Sequence, residues 1–306
     1  MTTPARIAVP GVTGPAAQIH DQGYERYTGS RSEQNGRFFI VAGNVVSQGL
    51  RRWVVRVPLI FSAIITVFMI GGMLIGRLVP GAAKRGLEFG QLAVGAGWIL
   101  GWWAMVIGAG IGCSTIVDDL RVGAFQFYFS RSLRTLDYGA GKVLGVLFLV
   151  ALPMFVVPTL LSLVGVALSS DADEAAKHWP MIPRAIVWGA LGAAVYTLPA
   201  LGFGAAIVSK RAAQAGYVVY YLLAGAIANG LARVTKIPQL QLLAFDHCWI
   251  NAGRWLFDVP AEARNLSPPP PAWQSLAAIG VFCGLGAFGL YLRLRKAEVS
   301  MVGGGS

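Results

Sequence analysis

The sequence predicts an all-α integral membrane protein, a six-helix transmembrane bundle with an N-terminal amphipathic helix lying at the membrane interface. Three observations lead there. Hydrophobic residues make up 55% of the chain and charged residues only 13%, against about 25% charged in an ordinary soluble domain. One globular core could not hide that much apolar surface. The apolar residues collect in six runs near the roughly 20 residues a helix needs to cross a bilayer. Finally, the basic residues are shared unequally between the two sets of connections.

The elements follow in order. Residues 1–53 are the N-terminal segment, polar at first and without an apolar stretch of signal-peptide length. The first apolar run is therefore expected to insert by itself. Over 37–53, Phe38, Val41, Ala42, Val45, Val46, Gly49 and Trp53 recur at helical spacing. That pattern predicts a helix on the inner membrane surface, with Arg51, Arg52, Trp53 and Arg56 anchoring it among anionic headgroups. The spans are expected at 54–78, 91–117, 143–168, 186–208, 212–232 and 274–292. They form one transmembrane domain over 54–296, and 297–306 reads as a flexible tail. With the N-terminus inside, the inner segments carry 16 Lys and Arg and the outer ones 9. Both termini are thus expected in the cytoplasm. The long outer segment before the sixth span has an amphipathic middle, 240–257, that suits one or two short helices. Four consecutive prolines, Pro268 to Pro271, follow it and read as a stiff spacer.

Several function classes are disfavoured. The formal charge of +11 has no basic soluble domain to concentrate it, so nucleic acid is not the expected partner. Three cysteines, Cys113, Cys248 and Cys283, are odd in number and lack metal-ligand spacing. No HExxH or GxSxG motif is present, and His20, His178 and His247 lie in different segments; a membrane hydrolase has no support. Gly139-Ala140-Gly141-Lys142 looks like the end of a phosphate loop. Its first glycine would fall at Leu136, and Val143 follows the lysine, so no ATP site is expected in this chain. No Asp, Glu, Lys or Arg falls in the middle of a predicted span; Asn229 is the most polar side chain there. Glycines four apart, at 72/76, 97/101, 108/112, 141/145 and 280/284, suggest closely approaching helices.

The most informative stretch joins the second and third spans. It opens with Asp118, Asp119, Arg121 and Gly123, and continues through Phe125, Phe127, Tyr128 and Phe129. Arg131 and Arg134 follow, and Gly141-Lys142 leads into the third span. Four aromatics in five residues need burial, either in the interface or in a groove on a cytoplasmic partner. The segment resembles the first intracellular loop of ABC exporter permeases of the ABC-2 membrane family. Asp118, Asp119, Gly123, Ser130, Arg131, Arg134, Asp137, Tyr138, Gly141 and Lys142 fall on that family's pattern, with Ser132 where proline is common. The run from Ile19 to Tyr27 is similar to the start of a bacterial subset of these permeases.

The resemblance implies a permease subunit in the bacterial inner membrane, paired with a second copy and bound to two ABC ATPase subunits. Those partners hold ATP and Mg; this chain needs no cofactor and is not itself an enzyme. Asp119, Arg121 and Phe125 to Phe129 would form a coupling helix seated in the ATPase. Lys210 and Arg211, in the short turn before the fifth span, would make a second contact, and spans one, two and five would line the path between copies. Two rivals differ in class: a mechanical subunit that drives an envelope machine through the same coupling, and a membrane-embedded lipid-modifying enzyme.

Overall fold

The computed structural model describes residues 36–78, 89–121, 135–260 and 269–303. Among them are helices and turns and no strand. In chain order these are α1 (Arg37–Arg51), α2 (Trp53–Leu78), α3 (Phe89–Ile107), a π-helical turn (Gly108–Gly112), α4 (Cys113–Arg121) and α5 (Thr135–Ala167). Then come α6 (Ala172–His178), α7 (Met181–Ala206), α8 (Lys210–Thr235), a 3-10 turn (Pro238–Leu243), α9 (Phe245–Leu256) and α10 (Ala272–Gly303). Six of these stretches are long and apolar enough to cross a membrane: α2, α3 with α4, α5, α7, α8 and α10. This is the architecture of a multi-pass membrane protein. Successive spans run in opposite directions, so α1, the end of α4 and the starts of α5 and α8 share one end of the bundle, here called basal. The other end is distal.

Two boundaries differ most from the sequence reading. The third span starts at Thr135 instead of 143, because its polar first turns find partners inside the protein. The helix of the sixth span runs through Gly303, so the backbone of the expected tail is helical as far as that residue.

The second, third and fourth spans form the centre. In the second, 61% of the most apolar window is buried, against 11% in the first span. Small residues let the central backbones meet. A Cβ added at Gly204 would lie 2.6 Å from the carbonyl oxygen of Cys113, and one at Gly189 2.7 Å from that of Met154. Three of the five predicted glycine pairs, 97/101, 108/112 and 141/145, sit against neighbouring helices or their side chains, whereas 72/76 and 280/284 face open space. The 141/145 pair receives α1: a Cβ at Gly141 would lie 2.7 Å from the carbonyl oxygen of Phe38. Ala42, Val45 and Gly49 of α1 are thereby buried, while Phe39, Ile40 and Leu50 stay exposed. Arg52 then leaves the helical region (φ −85°, ψ 138°) and turns the chain into α2. The Nε of Arg56 donates to the carbonyl of Leu50 at 2.8 Å and holds that joint.

The connection before the sixth span departs most from its expected place. Its two short helices form as the amphipathic pattern suggests, but α9 does not sit outside the bundle. Phe245, Asp246 and the run from Cys248 to Gly253 are buried, and α9 packs among α3, α7, α8 and α10. Trp188 of α7 and Trp249 of α9 stack with ring centroids 4.4 Å apart. Each indole N–H donates to the other residue's carbonyl, at 3.0 and 2.9 Å. Gly192 and Gly253 leave room for the rings: a Cβ at Gly192 would lie 2.7 Å from Trp249. Asn251 Nδ2 donates to the Pro270 carbonyl at 2.8 Å and to Ser275 Oγ at 2.7 Å. These contacts tilt α9 inward, so Phe245 at its tip meets Tyr196, Tyr217 and Phe282. Tyr196 lies past the midpoint of α7 counted from its distal start at Met181. The segment is re-entrant: it enters from the distal end and dips to the middle of the bundle.

Candidate functional site

The basal end carries a cluster of ion pairs built around Asp118 and Asp119 in α4. The side chain of Lys142, only 7% exposed, places its Nζ 2.7 Å from Asp119 Oδ2 and donates to Thr115 Oγ1 at 3.0 Å. The hydroxyl of the fully buried Tyr138 donates to the same carboxylate oxygen at 2.6 Å. The Lys142 ammonium also lies 5.4 Å from the centre of the Tyr138 ring, within cation–π range. One turn of α5 thus supplies both partners of Asp119. Asp118 points elsewhere and pairs with Lys210, the first residue of α8, at 2.8 Å to Oδ2 and 3.1 Å to Oδ1. A lysine at a helix start opposes the helix dipole, and Asp118 offsets that.

The two pairs are not equal. Lys210 and Asp118 are about one third exposed, where water screens the attraction and a pair contributes about 0–1 kcal/mol. Lys142 is nearly buried, and removing one partner of a buried pair strands the other charge at a cost of about 3–5 kcal/mol. Asp119–Lys142 is therefore the structural tie and Asp118–Lys210 the easily broken one. Beneath α1 the cluster borders a cavity of about 50 Å³, lined by Gln48, Arg52, Thr115, Asp118, Asp119 and Lys142, with room for a few water molecules.

This arrangement fastens the base of the connection between spans two and three. Asp119 lies just before it and Tyr138 and Lys142 just after it, so the two ends are held together while Asp118 ties them to span five. Asp119 and Arg121 belong to α4, the last turns of span two, and not to a separate helix. Arg121 is exposed, as are Arg211, Arg51, Trp53 and Arg56; Arg52 is half-buried at the cavity. Gly123, Phe125, Phe127, Tyr128, Phe129, Arg131 and Arg134 lie outside the described residues. Lys142 and Tyr138 carry more than the sequence reading gave them. The available signal was an acidic pair and a Tyr-x-x-x-Lys spacing on opposite sides of one loop.

A second polar cluster sits at the tip of α9. Asp246 is 6% exposed and stands 3.9 Å from His247 Nε2. That ring nitrogen lies 3.0 Å from the amide nitrogen of Asn229 in α8, so the polar residue of span five makes a helix–helix contact. Trp98 of α3 meets the His247 ring edge-on at 5.2 Å. Among the described residues, no group of His, Cys, Asp and Glu is disposed to hold a metal ion. The chain matches no family model and no curated protein sequence.

Proposed function

We propose that this chain is the membrane-spanning permease subunit of an ATP-driven exporter, coupled to separate ATPase subunits through the segment between its second and third spans. The observation that carries the reading is the fastened base of that segment. A loop that receives force from a partner must pass it to the spans, and a connection loosely hung on two helices would dissipate it. Here Asp119, Tyr138 and Lys142 lock span two to span three, and Asp118–Lys210 links both to span five. Movement of the loop therefore moves spans two and three together, with span five linked more weakly.

In this reading the basal end is cytoplasmic in the inner membrane of a bacterium. Phe125 to Phe129 enter a groove on the ATPase, with Arg131 and Arg134 against headgroups or ATPase carboxylates. Arg121 and Arg211, both exposed at the basal end, are free to meet the same partner. ATP and Mg are held by that partner. The amphipathic helix α1 lies at the inner interface, its exposed Phe39, Ile40 and Leu50 in the acyl boundary and Arg51, Trp53 and Arg56 at headgroups. Two copies pair with the path between them lined by spans one, two and five, of which the first and fifth are sparsely buried, as is the sixth.

Purification from native membranes in mild detergent tests this. The expected result is a co-purifying soluble ATPase that is released by the double change Phe125→Asp, Phe127→Asp. Recovery of the chain without an ATPase, or an ATPase indifferent to those changes, overturns the reading. A purified complex with ATPase activity that moves no solute in reconstituted vesicles would instead indicate the mechanical subunit.

A further inference from the structure

The tip of α9 places a carboxylate at mid-bundle depth with an aromatic setting and no fixed cation beside it. Among the described residues the only basic group in ion-pair range of Asp246 is His247, at 3.9 Å. His247 Nε2 is already in contact with Asn229. Asp246 lies in the first turn of α9, where the helix N-terminus favours a carboxylate, but at this burial the charge remains costly unless a cation joins it. Asp119, at the basal end, has its lysine; Asp246 has no lysine or arginine in range among the described residues.

The surroundings of Asp246 are those that hold an organic cation. Gly225 of α8 faces it: a Cβ there would lie 3.7 Å from Asp246 Oδ2 and 3.3 Å from His247 Nε2. One turn before Gly225, Tyr221 meets Trp102 edge-on at 5.6 Å, while Trp98 meets His247. Span five packs closely on α4 and the π-helical turn, whereas alongside α3 these ring contacts bridge it to span two. Trp98 and Trp102 remain 39% and 48% exposed, so two indoles are reachable from the lipid side, and the His247 ring that Trp98 meets stands 3.9 Å from the carboxylate. Aromatic faces attract a desolvated cation, and the carboxylate supplies the countercharge.

We infer that Asp246, with Trp98, Trp102 and Tyr221, forms a binding site for an amphiphilic organic cation in the cleft between spans two and five. Naming this ligand class as the cargo rests on the export reading; the binding site itself does not. A small inorganic cation fits less well, because the cluster offers one carboxylate and no ring of oxygens.

The test uses the purified full chain in detergent, with tetraphenylphosphonium as probe and neutral triphenylphosphine oxide as its control, measured by equilibrium dialysis. Wild type is expected to bind the cation, Asp246→Asn at least ten-fold more weakly, and the neutral control equally in both. Trp102→Ala, at a half-exposed position where folding is safe, is expected to weaken cation binding several-fold and serves if Asp246→Asn does not fold. Equal cation binding by Asp246→Asn and wild type, no effect of Trp102→Ala, or neutral control bound as tightly as the cation overturns the site. The assay contains neither ATP nor ATPase. Failure to find an ATPase partner therefore removes the word cargo and leaves the site standing.

Discussion

Asp119 and Asp246 are both drawn into one apolar bundle, yet they are treated in opposite ways. Asp119 is delivered by a span and meets a buried lysine, a tyrosine hydroxyl and, through that lysine, a threonine. Asp246 is delivered by a re-entrant helix, next to Phe245 and the tyrosines that ring packs on, and has a histidine at 3.9 Å. A carboxylate with its countercharge in place stiffens a junction. One without it contributes little to stability and is available for something that comes and goes. The contrast separates a structural charge from a functional one more reliably than burial, since Asp246 is the more buried of the two.

The largest expected effect tests the stiff side. Lys142→Ala leaves the half-buried Asp119 with only the Tyr138 hydroxyl and should destabilise the protein by about 3 kcal/mol. Thermal unfolding in detergent should show a clear fall in midpoint, with partial recovery in the double variant Lys142→Ala, Asp119→Ala. No fall would mean that water already solvates the junction through the adjoining cavity. Next is the anchor that sets Asp246 at depth. Trp249→Ala removes a stacked ring and its indole hydrogen bond to the Trp188 carbonyl and should cost about 3–5 kcal/mol, and it should abolish cation binding as α9 loosens. Binding that survives would show that the tip is held by Asn251 and not by the tryptophan pair.

The sharpest test is a difference in sign. Asp119→Asn should lower the unfolding midpoint, because its lysine loses a countercharge. Asp246→Asn should leave the midpoint unchanged or raise it, since a neutral amide costs less to bury than an unpaired carboxylate. If both fall equally, the comparison fails. The smallest effect belongs to the exposed link. Lys210→Ala should change stability by no more than about 1 kcal/mol while reducing ATPase stimulation in the proposed complex. A variant unchanged in both would remove span five from the linkage.

The six spans were legible because long apolar runs have few alternatives in a membrane. The glycine pairs were half legible. Spacing marks Gly72/Gly76 and Gly108/Gly112 alike, but only the second pair has a partner helix against it, and spacing cannot say which faces meet. The basal cluster was visible as an acidic pair and a lysine on either side of a loop. Its assembly depended on extending helix α5 back to Thr135, through residues too polar for a hydropathy window. The Asp246 site was hidden for a different reason. The sequence places it in a connection, and a scan for charges within spans passes over it. The Trp188–Trp249 pair, the small residues facing it and the Asn251 hydrogen bonds pull that connection inside, and the two tryptophans are 61 positions apart in sequence.

The π-helical turn at Gly108–Gly112 has a consequence for how this protein tolerates length changes. A π turn amounts to an α-helix with one residue inserted, and one residue in an α-helix is about 100° of rotation. Everything basal to the turn, including Asp118 and Asp119, is therefore phased by that single extra residue. Removing one codon between Gly108 and Gly112 would keep the composition, hydropathy and charge of span two nearly intact. It would also swing both acids away from Lys142 and Lys210 at once, so a lesion invisible to any composition-based reading should behave like the loss of both ion pairs together.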